Sequence, residues 1–74
     1  MRTVIKGTKT IEEYKKLKAY LEQKATEHYE EHKKAYDNWR EGGIEKVWID
    51  SDGYICVQYE SGNWWHYDEK GAWW

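Results

Sequence analysis

Residues 44–67, IEKVWIDSDGYICVQYESGNWWHY, hold three short runs of β-branched and aromatic side chains, punctuated by Asp52-Gly53 and Ser61-Gly62. Val, Ile, Tyr and Trp suit a pleated, half-buried surface, and a short polar break containing Gly turns the chain back on itself. The pattern predicts antiparallel strands over 44–49, 54–60 and 64–67. Asp68-Glu69-Lys70-Gly71 is another turn signal, so Ala72-Trp73-Trp74 is positioned to add a short fourth strand.

Register decides which side chains face inward. With Ser51-Asp52-Gly53 as a three-residue loop and Gly53 left-handed, Ile49 pairs with Ile55 and Val47 with Val57. With Ser61-Gly62 as a two-residue turn, Tyr59 pairs with Trp64 and Val57 with His66. One face then carries Val47, Ile49, Ile55, Val57, Tyr59 and Trp64, with His66 at its margin. The other carries Lys46, Trp48, Tyr54, Cys56, Gln58, Trp65 and Tyr67. A slip of one residue exchanges the two faces. Trp64 is therefore expected in the core and Trp65 on the surface. Trp73 and Trp74 are open to either role.

Upstream of Gly42-Gly43 the period changes to that of a helix. Thr10-Ile11-Glu12-Glu13 matches a capping box. Tyr14, Leu17, Leu21, Ala25, His28, His32, Tyr36 and Trp39 then recur in steps of three and four, one stripe of an amphipathic helix. No Gly or Pro interrupts residues 8–41, and Gly42 suits a left-handed terminator. One helix of about 31 residues within 10–41 would be about 46 Å long at 1.5 Å per residue; a break near residues 24–26 is the alternative. Residues 1–9 have only Val4 and Ile5 as aliphatic anchors after Met1, so a mobile or weakly docked arm is expected. The expected fold class is α+β: one long N-terminal helix on a three- to four-stranded antiparallel meander, within a single domain spanning 1–74. A six-residue strand reaches only about 20 Å. The helix must project beyond the sheet or pack against a second copy.

Six Trp and seven Tyr, with no Phe, must supply the bulk that a disulfide or structural metal would otherwise replace in so short a chain. Cys56 is the only cysteine, which fits a reducing compartment. Twelve basic and fourteen acidic side chains give a net charge of −2, against a dedicated duplex-binding role. No leader pattern or membrane-spanning apolar run is expected.

His28-Tyr29-Glu30-Glu31-His32 fits the inverted zinc-peptidase spacing H-x-x-E-H. That chemistry needs a third ligand and a water-excluding cleft; His66 is the only other histidine, and two half-buried stripe histidines are the simpler reading. Cys56 has no partner that would activate it and reads as a small strand residue. Asp50 and Asp52 read as hairpin residues, lacking the later ligands of a calcium loop. No catalytic set or cofactor is expected. The residues expected to bind a partner are Trp48, Tyr54, Trp65 and Tyr67 on the sheet and Tyr36 and Trp39 on the helix. Glu30 and Glu31 are expected to steer the contact toward a basic surface.

A capped, charged helix followed by an aromatic hairpin sheet with D-G and S-G turns is similar to small proteins carried by bacteriophages and mobile elements. Anti-CRISPR inhibitors are the best-known group of that kind. The resemblance implies a stoichiometric inhibitor in the bacterial cytoplasm that sterically blocks a larger host protein or ribonucleoprotein. The alternative is a nucleic-acid-associated accessory protein, dimeric through the overhanging helix. Direct nucleic-acid binding and membrane binding are not expected.

Overall fold

The computed structural model describes residues 1–74. Along the chain run β1 (Arg2–Thr3), α1 (Ile11–Lys34), β2 (Ile44–Ile49), β3 (Ile55–Tyr59) and β4 (Trp64–Tyr67). The sheet has the order β1-β2-β3-β4, with α1 against one face. The class is α+β, as expected, but the sheet is mixed because β1 runs parallel to β2. The arm is therefore docked. Thr3 pairs with Val47, the Val4 N–H donates to the Val47 carbonyl at 2.8 Å, and Thr3 Oγ1 donates to Glu22 Oε2 at 2.6 Å. These bonds use backbone and one hydroxyl, and beside them Ile5 packs against the core. The hydroxyl bond, with Lys18 beside it, holds the Glu22 carboxyl below the usual range.

Thr10 starts the helix: extended at φ −129°, it accepts the Glu13 N–H on Oγ1 at 3.0 Å. The reciprocal bond goes one residue further back, from the Lys9 N–H to Glu13 Oε2 at 3.0 Å. Glu12 and Glu13 in the first turn and Lys33 and Lys34 in the last match the helix dipole.

The helix is continuous through residues 24–26 but ends at Lys34, well short of residue 41. Continuing would carry Trp39 about 7–8 Å further along an axis that the sheet does not follow. Instead the chain turns back, and Trp39 packs edge-on against Tyr29, His32 and Tyr59 at centroid distances of 5.9, 5.0 and 5.1 Å. Its indole N–H is satisfied by the Gly42 carbonyl at 2.7 Å. The closing aromatic contacts outweigh two more turns of exposed helix.

The β2–β3 register is as expected, with Ile49 opposite Ile55 and Val47 opposite Val57. Ser51-Asp52-Gly53 is a three-residue loop closed by Asp50 N–H to the Tyr54 carbonyl at 3.0 Å. The β3–β4 register differs by one residue. Gln58 faces Trp64 and Val57 faces Trp65, because Glu60-Ser61-Gly62 is also a three-residue loop, closed by Tyr59 N–H to the Asn63 carbonyl at 2.9 Å. Gly62 takes φ 95°, a conformation that a Cβ would strain. The longer loop is clamped from outside: Ser61 Oγ and Asn63 Nδ2 both donate to Glu41 Oε1, at 2.7 and 2.8 Å. Those two bonds pull the Glu41 carboxyl below its ordinary range. Glu69-Lys70-Gly71 repeats the loop a third time, with Asp68 N–H on the Ala72 carbonyl at 3.1 Å.

The shifted register exchanges the expected faces of β4. Trp65 and Tyr67 point toward the helix, Trp64 and His66 away from it. The core joins Leu21 and Ala25 of α1 to Val47, Val57, Tyr59 and Tyr67, with Leu17, Tyr29, Trp39, Trp65 and Trp73 packed around it. Burying each such aliphatic side chain contributes about 1.5–3 kcal/mol. Through the core runs a polar chain. His32 Nδ1 lies 2.6 Å from Tyr67 Oη, which lies 2.6 Å from Tyr59 Oη. Burial pushes the Tyr59 phenol up to about 12 and the Tyr67 phenol higher still.

Candidate functional site

One face of the sheet is covered by α1; the other carries no second layer. Lys46, Trp48, Cys56, Gln58, Trp64 and His66 all belong to that outward face through the observed pairings, Lys46–Gln58–Trp64 and Trp48–Cys56–His66. Trp74 joins it by bridging β4: the His66 N–H donates to the Trp74 carbonyl at 2.9 Å and Trp74 N–H returns the bond at 3.3 Å. Its indole lies flat on the His66 imidazole, 4.9 Å away with planes 3° apart, and edge-on to Tyr54 at 4.8 Å. On the other side Trp64 lies 5.4 Å from Trp48, over which Lys46 places its ammonium at 5.0 Å. The result is a continuous aromatic surface, with Trp64 48%, Trp74 51% and Tyr54 38% exposed.

Of the residues expected to bind a partner, Trp48 and Tyr54 lie on this surface. Tyr67 does not: it is 2% exposed, held under α1 by its bonds to His32 and Tyr59. Trp65 also turns inward, edge-on to His32 at 5.0 Å. Trp39 is half-buried at the end of the core, while Tyr36 stays exposed beside it. Glu30 and Glu31 are exposed on α1, on the far side of the sheet from Trp64, and Glu31 pairs with Lys34 at 3.7 Å. Trp64 and Trp74 are the surface residues that sequence reasoning missed. The signal for Trp64 was the loop length. The two open positions split: Trp73 stacks on His32 at 4.2 Å in the core, and Trp74 faces out.

The histidines of the H-x-x-E-H spacing serve the core. His28 stacks on Tyr67 at 5.0 Å, and His32 is fully buried among Trp39, Trp65 and Trp73. Burial lowers the pKa of both imidazoles. His32 Nε2 has no hydrogen-bond partner. Neutral His32 and the two phenols carry three protons for two hydrogen bonds, so one proton rests against aromatic rings whichever tautomer is present.

Beneath the aromatic surface lies a second feature. Asp50, Cys56 and His66 bring a carboxylate oxygen, the thiol sulfur and a ring nitrogen within 4.8 Å of one another. Asp50 closes β2 with its Oδ1 accepting the Asp52 and Tyr54 N–H groups at 2.9 and 3.0 Å, which turns Oδ2 toward the other two. His66 Nε2 stands 3.6 Å from Asp50 Oδ2, and its Nδ1 meets the Trp74 backbone oxygen at 3.1 Å. Cys56 is fully buried between its cross-strand partners Trp48 and His66, with Sγ 3.9 Å from Asp50 Oδ2. Burial, with Asp50 beside it, pushes the thiol up to about 11. Neither ring nitrogen of His66 is aimed at removing the thiol proton: one faces Trp74 and the other Asp50. This is not the arrangement of an activated cysteine nucleophile.

No helix is long and apolar enough to cross a membrane. Comparison with known proteins adds no relative: no family model, curated protein or solved structure matches the chain.

Proposed function

We propose that the domain is a non-enzymatic protein-binding module that docks the outward face of its sheet on a larger protein. Its setting is that of a phage-encoded stoichiometric inhibitor acting by steric blocking on a host defence complex. The observation that carries this reading is the uncovered row of Trp48, Trp64, Trp74 and Tyr54, two of them about half exposed. Trp and Tyr dominate interface hot spots because a rigid ring buries a large area at low cost in side-chain entropy. Strand pairing under Trp48 and Trp64 and the ring contacts of Trp74 with His66 and Tyr54 hold this row in place, which lowers the ordering cost of docking. Glu30 and Glu31, on the opposite side, act through the long-range field that draws in a basic partner rather than through contact.

The test is capture from a bacterial host lysate by tagged protein, with Trp64→Ala and Trp74→Ala alongside. The expected result is a specific, stoichiometric partner that both variants lose while keeping the wild-type melting transition. A partner retained in full by both variants overturns the docking face. A different observation favours the dimer reading. Ile11 is 75% exposed, Tyr14 and Ile49 are exposed, and Ile49 lines a cleft of about 390 Å³ with Val4, Ile5, Leu17 and Leu21. Sedimentation equilibrium of Ile11→Glu against wild type separates the two: a dimer that the variant dissociates moves the function to the helix end.

A further inference from the structure

We propose that Asp50, Cys56 and His66 form a zinc-type divalent cation site in the outward face of the sheet, with Asp50 Oδ2, Cys56 Sγ and His66 Nε2 as ligands. The proposal stands independently of the docking reading.

Four observations converge on it. The first is spacing. Zinc bonds of about 2.0 Å to oxygen and nitrogen and 2.3 Å to sulfur, at tetrahedral angles, set ligand atoms roughly 3.3–3.6 Å apart. Two edges of this triangle measure 3.6 and 3.9 Å, and the third is no longer than 4.8 Å. Side-chain rotation about the fixed strand positions closes the remainder.

The second is proton placement. The contact of His66 Nδ1 with the Trp74 carbonyl makes Nδ1 the donor, because a carbonyl only accepts. In the neutral ring Nε2 is then a bare lone pair, and it faces the Asp50 carboxylate, another acceptor. At 3.6 Å the two atoms stand beyond hydrogen-bond length and close to the spacing that two ligands of one ion require.

The third is the outer shell. A metal-binding imidazole nearly always donates its other N–H to a carbonyl or carboxylate, and a binding carboxylate is itself held by hydrogen bonds. Trp74 does the first for His66, and the Asp52 and Tyr54 amides do the second for Asp50.

The fourth is rigidity. Cys56 and His66 are directly opposed on paired strands, so their separation is set by the ladder. A thiolate, an imidazole and one carboxylate select zinc over calcium or magnesium, which take six or more oxygens. His66 and Asp50 keep side-chain exposures of 26% and 21%, so solvent reaches the fourth position. Binding replaces the thiol proton by the metal and releases that proton to solvent.

Cobalt(II) is the probe, titrated anaerobically into the full chain under reducing conditions and then displaced by zinc. The wild type is expected to bind one equivalent, with a thiolate-to-cobalt charge-transfer band and the visible bands of four-coordinate cobalt. Cys56→Ser removes the charge-transfer band. Asp50→Asn keeps the Oδ1 acceptor for the Asp52 and Tyr54 amides but replaces Oδ2. This variant and His66→Gln are expected to weaken binding at least about 100-fold, the upper end of what losing an outer-shell partner costs. His28→Gln binds as wild type. Far-UV circular dichroism without metal checks that each variant is folded; if Cys56→Ser is not, the Asp50 and His66 variants decide. Three results overturn the site: no charge-transfer band in the wild type, equal affinity in wild type and Asp50→Asn, or loss of binding in His28→Gln.

Discussion

Removing the Tyr67 hydroxyl is expected to cost more than the loss of one hydrogen bond, because that oxygen holds two buried groups. Tyr67→Phe leaves the ring in place but takes the only hydrogen-bond partner from His32 Nδ1 and from Tyr59 Oη, each 2.6 Å away. His32 Nε2 already has no partner, so the imidazole would be buried with none. Each orphaned buried polar group costs about 1–3 kcal/mol, so with two orphaned the variant should lose about 2–6 kcal/mol. A chain of this length has about 4–11 kcal/mol in total. Tyr59→Phe is the control: the Tyr67 hydroxyl keeps His32, and only about 1 kcal/mol is lost. The double variant should cost less than the two singles added, because Tyr59 no longer has a hydroxyl to orphan. Urea denaturation followed by tryptophan fluorescence and circular dichroism measures all three. Equal costs for the two single variants, or strict additivity, would refute the chain of bonds described here.

Lowering pH should destabilise the fold in a window set by the histidines. Burial depresses the folded-state pKa of His32 and His28 below 6.5, so the unfolded chain binds protons first and stability falls as pH drops through 6.5 toward 5. A urea midpoint that stays level between pH 7 and 5 contradicts this. The carboxyls of Glu22 and Glu41, held below 4.5, add a separate loss only at lower pH. Gly62→Ala, forced to φ 95°, should lose about 1–2 kcal/mol by the same denaturation assay, although space is available for the methyl group. Thr10→Ala should lose about 1 kcal/mol with the helix cap, read as the same shift in midpoint. Trp65→Ala should cost about 3 kcal/mol or more, whereas Trp64→Ala should stay within about 1 kcal/mol, the reverse of what the unshifted register implies. Thermal melts decide between them.

The helix start, its inward stripe and the β2–β3 register were legible because each has a local cause: a Thr hydroxyl, a period of 3.6 and an Asp-Gly loop. The helix end was not. Nothing between residues 35 and 41 forbids a helix, and the chain leaves it for a contact between Trp39 and Tyr59 that lies twenty residues downstream. The strand pairing of the arm was not legible, because backbone bonds are nearly indifferent to side-chain character, although Ile5 does pack against the core. The Asp50–Cys56–His66 cluster was invisible for a different reason. It exists only when Cys56 faces His66, and the shorter turn set Val57 opposite that histidine instead. A single residue of loop length thus hid both the exposed Trp64 and the cluster.

The three equal loops carry one more implication. Each spans an odd number of residues, so chain reversal never changes the parity of the residue number on a given side. Among the paired positions from Lys46 to Trp74 the odd ones, 47, 49, 55, 57, 59, 65, 67 and 73, lie on the helix side, and the even ones on the other. Deleting Ser61 inverts that rule for everything downstream. Trp64 would go under the helix and Tyr67 into water, and His66 would leave Cys56. Insertions of two residues keep the rule. Length variation in these loops is therefore expected to come in steps of two, and a one-residue change to destroy core and outer face together.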